Sequence, residues 1–104
     1  MNDELIVSSE MQQHARAAAS LLKAMANEHR LMILCTLLDT ELCVSELNER
    51  VPLSQSALSQ HLASLREAGL VSTRKESQTV YYQVNGTEAS KIIAVLQSIY
   101  CPTL

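Results

Sequence analysis

LSQSALSQHLASLREAGLV, residues 53–71, reads as a helix with two very different sides. Ser54 opens it, Ala68 closes it, and Gly69 stands where a helix commonly stops in a left-handed conformation. Leu58, Leu62 and Leu65 recur at i, i+4 and i+7 and make one stripe to bury. The opposite side carries Gln55, Ser56, Ser59, Gln60 and Ala63. From Ser54 to Ser64 there is no Lys, Arg, Asp or Glu, although an ordinary solvent face is rich in them. Small uncharged polar side chains suit a helix that must enter the major groove of DNA. Gln can bond adenine bidentately, and Ser can bond base edges or phosphate. The backbone N–H groups at Ser54 to Ser56 can also meet a phosphate.

The neighbouring segments agree with that use. Upstream, Val44, Leu47 and Val51 form an apolar stripe on a short helix, Ser45 to Arg50, which Pro52 ends. Downstream the period changes to two. Leu70–Lys75 and Thr79–Val84 alternate as strands around Glu76-Ser77-Gln78, which predicts a β-hairpin. A short helix, a tight turn, a second helix and a hairpin describe a winged helix-turn-helix. Arg74 and Lys75, placed near the hairpin tip, can reach flanking phosphates, and Gln78 can add a polar contact. His61 lies beside the leucine stripe, where it either reaches a phosphate or packs.

Further out, Ser9 to Gln12 has capping-box spacing before an Ala-rich first helix that reaches Met25, with Met1 to Ser8 a loosely ordered lead-in. Asn27 caps a second helix that runs to Leu38. That helix is apolar on nearly every face and is expected to be buried. After an Asn85-Gly86 turn, Thr87 caps a last helix carrying Ile92, Ile93, Leu96, Ile99 and Tyr100. The predicted fold is mainly α with a β-hairpin wing, in the order helix–helix–helix–helix–strand–strand–helix.

A length of 104 residues allows one domain, residues 1–104. The formal charge of −3 argues against DNA binding through bulk positive charge. That charge is not uniform. Ser54–Val84 holds Arg66, Arg74 and Lys75 against Glu67 and Glu76, a balance of +1, while five cations against nine acids leave −4 in the remainder. A modest salt dependence is expected, with more of the affinity coming from shape and base edges. The acidic start does not read as a secretory signal, and no apolar run is long enough to span a membrane. A cytoplasmic protein is expected, in which the three cysteines stay reduced unless chemistry oxidises them.

LLKAMANEHRLMIL (21–34), ELCVSEL (41–47), residues 53–71 and TRKESQTVYYQV (73–84) together resemble the ArsR/SmtB family of bacterial transcriptional repressors. The resemblance implies a homodimer formed through the first and last helices, reading a palindromic operator in double-stranded DNA. Its half-sites would lie roughly 34–36 Å apart.

Many family members sense metals, one group through paired cysteines in the motif ELCVCDL. Here the second of those positions is Ser45, and one thiolate cannot complete a tetrahedral soft-metal site. A second family site uses Asp and His on the last helix, where this chain offers Glu88 and Lys91. No metal and no cofactor are expected, and Cys43 reads as a small semi-buried residue. The cysteine in ILCTLL, Cys35, and the one in SIYCP, Cys101, resemble instead the thiol- and persulfide-sensing branch of the family. That resemblance implies a redox pair, with reactive sulfur or an oxidant as inducer. Release of DNA would need coupling on the order of 1–3 kcal/mol. The alternatives are an activator that displaces another DNA-binding protein and a metal-responsive repressor. Nothing suggests an enzyme: there is no Cys-x-x-Cys, no cysteine near a histidine on an evident loop and no Gly-rich phosphate cradle.

Overall fold

The structure, a computed structural model, describes the backbone of residues 2–100 and the side chains of residues 9–100. Five helices and three strands follow in order: α1 Asn2–Met25, α2 Glu28–Thr36, β1 Leu42–Cys43, α3 Val44–Arg50, α4 Gln55–Glu67, β2 Val71–Glu76, β3 Thr79–Val84 and α5 Glu88–Tyr100. This is the helix order expected, with a winged helix-turn-helix at its centre.

Local chemistry sets most of the boundaries. Asn27 Oδ1 accepts from the N–H groups of His29 and Arg30, at 2.9 and 3.1 Å, and starts α2. Ser54 Oγ accepts from Ala57 N–H at 3.1 Å and starts α4. Gly69, at φ 78°, ends α4, and its N–H donates to the Arg66 carbonyl. The Thr87 carbonyl accepts from Lys91 N–H and opens α5.

The core is aliphatic. Ile33, Leu34 and Leu37 from the α2 region meet Leu47 and Val51 from α3 and its end, Leu58, Leu62 and Leu65 from α4, and Ala89 and Ile93 from α5. Among the described residues no polar or charged side chain is buried. No described helix is long and apolar enough to cross a membrane.

Three expectations change. Helix α1 starts at Asn2, so the lead-in over residues 1–8 is helical backbone from residue 2, and Ser9 lies inside the helix instead of capping it. No Gly or Pro occurs before Pro52 to halt a helix in this region. Helix α2 stops at Thr36 and is not buried all round, since Met32 is exposed. The wing also gains a third strand. β1 pairs antiparallel with β3, placing Leu42 opposite Tyr82 and Cys43 opposite Tyr81, and the sheet order is β1-β3-β2.

Candidate nucleic-acid interface

The α3–α4 unit is fastened at its turn. Val51 and Leu53 sit either side of Pro52, and Leu53 N–H donates to the Val51 carbonyl at 2.8 Å. Asn48 Nδ2 donates to the Leu53 carbonyl at 2.7 Å, which binds the body of α3 to the residue just before the α4 cap. Glu46 accepts from Cys43 N–H at 3.0 Å, and that bond holds its carboxyl below the usual carboxylate range. The two helices are thus held at both the α3 entrance and the turn.

Helix α4 presents the two sides read from its sequence. Leu58, Leu62 and Leu65 are fully buried. Gln55, Ser56, Ser59, Gln60 and Ala63 are exposed, and their spacing puts them on one side of the helix. Ser54 is also exposed, but its hydroxyl already accepts from Ala57 N–H and lies 3.4 Å from Ser56 Oγ. The α4 entrance therefore offers a ligand the N–H groups that precede Ala57.

His61 departs from this row. It is half-buried, and its Nδ1 accepts from Arg30 Nε at 3.2 Å, so the ring is turned toward α2. Desolvation, then the charges of Arg30 and His29, push its pKa down from the ordinary 6.5. Its place beside the leucine stripe explains the burial, while Arg30 was not legible as its partner.

The wing separates the two cations expected to work together. Neighbouring strand residues point to opposite faces. Lys75 is opposite Val80, exposed and one residue from the end of β2; Gln78 is exposed in the two-residue turn. Arg74 lies opposite Tyr81 on the other face, and it is not a free cation. Its Nε and Nη2 donate to the Glu41 carboxylate at 2.9–3.1 Å, and its Nη1 donates to Glu76 Oε1 at 2.9 Å. The Glu41 contact keeps that carboxyl below its ordinary range and raises the guanidinium above its own. The expectation that Arg74 reaches phosphate is corrected accordingly: two carboxylates already occupy it. Glu76 could have been anticipated, since i and i+2 share a strand face. Glu41, brought in by β1, could not.

Cys35 is half-buried at the core edge on α2, and burial pushes its thiol pKa up. Cys101, its expected partner, lies outside the described residues. Cys43 Sγ lies 3.2 Å from Ser45 Oγ, the hydroxyl that stands where a metal site would need a second thiolate. Among the described residues no three His, Cys, Asp or Glu side chains gather as a metal site would require.

A profile of the bacterial regulatory proteins of the arsR family matches residues 27–73. Over 92 residues the chain is 60% identical to the transcriptional activator HlyU of Vibrio cholerae, covering 88% of this chain and 85% of that protein. It is 36% identical to the biofilm growth-associated repressor of Xylella fastidiosa, covering 88% and 81% of the two. The structure of reduced HlyU from Vibrio cholerae superposes with a TM-score of 0.83 over 88% of this chain and 97% of that one, at 60% identity. A homodimeric winged helix-turn-helix DNA-binding domain from Mycobacterium bovis superposes with a TM-score of 0.77, at 27% identity, over 88% and 85%.

Proposed function

As the chain belongs to the bacterial ArsR family, and so is a transcriptional regulator and not an enzyme, we propose that it works as a homodimeric repressor of a palindromic operator in the cytoplasm, released by dithiol chemistry. The observation that carries the DNA reading is the exposed, uncharged row of Gln55, Ser56, Ser59 and Gln60 over a fully buried leucine stripe. Gln55 and Gln60 would read base edges, Ser56 and Ser59 would bond bases or phosphate, and the entrance at Ser54 would hold a phosphate. Lys75 and Gln78 would reach the flanking backbone. His61 and Arg74 stand behind this surface.

The dimer reading is supported by shape and by bare apolar residues. The radius of gyration is 16.2 Å, against about 13 Å for a compact chain of this length. Residues 9–20 of α1 are all exposed, Met11 among them, and Leu22 follows. On α5, Val95, Ile99 and Tyr100 are 58–66% exposed. These are the two helices through which the family resemblance implies dimerisation, and a second copy would cover both.

The switch reading rests on Cys35 in α2, on the packing of α2 against α5, and on Cys101 following directly after α5. With an organic disulfide as oxidant, both thiols lose their protons, one S–S bond forms within the protein, and the reagent leaves as two thiols. A persulfide donor could instead leave extra sulfur between the two cysteines, which relaxes the geometry a simple disulfide demands. An activator output is the second reading, favoured by the 60% identity to a protein named as an activator.

The test begins with selection of a duplex from a random-sequence library by the wild-type chain. Anisotropy titration follows, before and after persulfide treatment, with Cys35→Ser beside it. Selection of a palindrome, loss of affinity on treatment and no response in Cys35→Ser are expected. A normal response in Cys35→Ser would sink the switch, and failure to enrich any duplex would sink the DNA reading. A reporter in a deletion strain sets the sign: falling target expression would favour activation.

A further inference from the structure

The outer face of the wing carries a feature that DNA contact does not account for. Arg74 lies on β2, yet its guanidinium crosses the middle strand. It sits over the Tyr81 ring of β3, 4.9 Å from the centroid, and ends on Glu41, the residue just before β1. Adjacent strands are about 4.8 Å apart, so the side chain bridges roughly two strand spacings. All three guanidinium nitrogens are used: Nε and Nη2 on Glu41, Nη1 on Glu76. One cation between two carboxylates leaves a net charge of −1, which offers no attraction to a phosphate. Glu41 also precedes α3, whose first residue, Val44, follows β1 directly. A bond from Glu41 to the wing is therefore a bond between the wing and the start of the helix-turn-helix unit.

We propose that Arg74 is a positioning residue: laid over Tyr81 and clamped on Glu41, it straps β2 and β3 to the β1–α3 junction and fixes how the wing tip is presented relative to α4. The proposal rests on the DNA-binding reading for its consequence, but the strap itself is a property of the free protein. β1 is only two residues long and pairs with β3 alone. A sheet edge that short is weakly held by its ladder, and a side-chain strap over its face compensates. Arginine suits this role and lysine does not, because only a planar fork can both stack on tyrosine and meet a carboxylate through two nitrogens.

The sign of a single substitution separates a strap from a masked phosphate contact. Glu41→Gln removes an acid near the DNA side of the molecule. If Arg74 were a phosphate ligand held in check, freeing it would tighten binding. If Arg74 is a strap, the wing loosens and binding to the wild-type-selected duplex weakens about threefold or more. Asp39→Asn, an exposed acid two residues away, corrects for the change in net charge and should not weaken binding. Arg74→Lys keeps the charge and should behave like Glu41→Gln. Arg74→Ala should leave the salt slope intact, whereas loss of a phosphate contact would lower it by about 1. Amide hydrogen exchange without DNA completes the test. In Glu41→Gln, residues 42–43 and 79–84 should exchange about threefold faster or more, with the unfolding midpoint unchanged. Unchanged wing exchange, or tighter binding by Glu41→Gln, overturns the strap. Failure of the wild-type chain to select any duplex overturns the DNA reading and leaves the exchange arm to decide the strap.

Discussion

Arg30 Nε donates to His61 Nδ1 at 3.2 Å, while Arg30 Nη1 donates to the Ala24 carbonyl at 3.1 Å. One side chain on α2 thereby connects the end of α1 to the middle of α4, and it requires His61 to be neutral. The depressed pKa of His61 sets the sign of a pH effect. The unfolded chain takes up the proton first, so the stabilisation is complete above the ordinary value of 6.5 and is lost as pH falls through the lower folded value. Urea unfolding on the two sides of pH 6.5 should show lower stability on the acid side. His61→Asn, which keeps an acceptor but cannot titrate, should flatten that dependence; an equally steep dependence would rule His61 out as its source.

Asn48→Ala removes the bond to the Leu53 carbonyl that closes the α3–α4 turn. The expected cost is about 1 kcal/mol in chemical denaturation, as for a part-buried hydrogen bond. DNA affinity should fall as well, since the relative placement of α3 and α4 depends on that turn. A stable variant with wild-type affinity would show that Pro52 and the apolar contacts suffice.

Gln60 and Lys75 should fail in different ways. Gln60→Ala should cost about 1–3 kcal/mol on the preferred duplex and relax base preference at one position. Lys75→Ala should weaken all duplexes alike and reduce the salt slope by about 1. Specificity profiling of both variants against a randomised duplex would expose an exchange of these roles.

Burial makes Cys35 a poor thiolate, because its raised pKa keeps it protonated at neutral pH. Iodoacetamide should label it slowly in the folded protein and quickly in urea, read by mass spectrometry of the peptide. Rapid labelling in the folded state would mean the thiol is more open than its packing on the core edge implies.

What the sequence disclosed and what it hid divide along distance in the chain. Asn27, Ser54 and Gly69 act within a few residues of themselves, so caps and helix ends were readable, as was the leucine stripe of α4. The exposed Gln and Ser row followed from the same period. β1 was not readable, because two residues become a strand only when β3 arrives beside them. Arg74 with Glu41 and Arg30 with His61 are separated by 33 and 31 positions, and no local pattern announces either pair. The adjacent Arg74 and Lys75 looked like one basic patch until the strand period sent them to opposite faces. The start of α1 was misjudged because a sound capping pattern at Ser9 to Gln12 occurs inside an uninterrupted helix.

The outward side of α1 makes abundance a thermodynamic variable for this protein. A helix with residues 9–20 all open to solvent draws little stability from its own chain and gains the rest when another copy covers it. Mass action then links folding to concentration: the dimer gains on the unfolded chain as copies accumulate. A regulator built this way is most fragile when scarce, so the number of molecules in the cell sets both operator occupancy and the lifetime of each molecule.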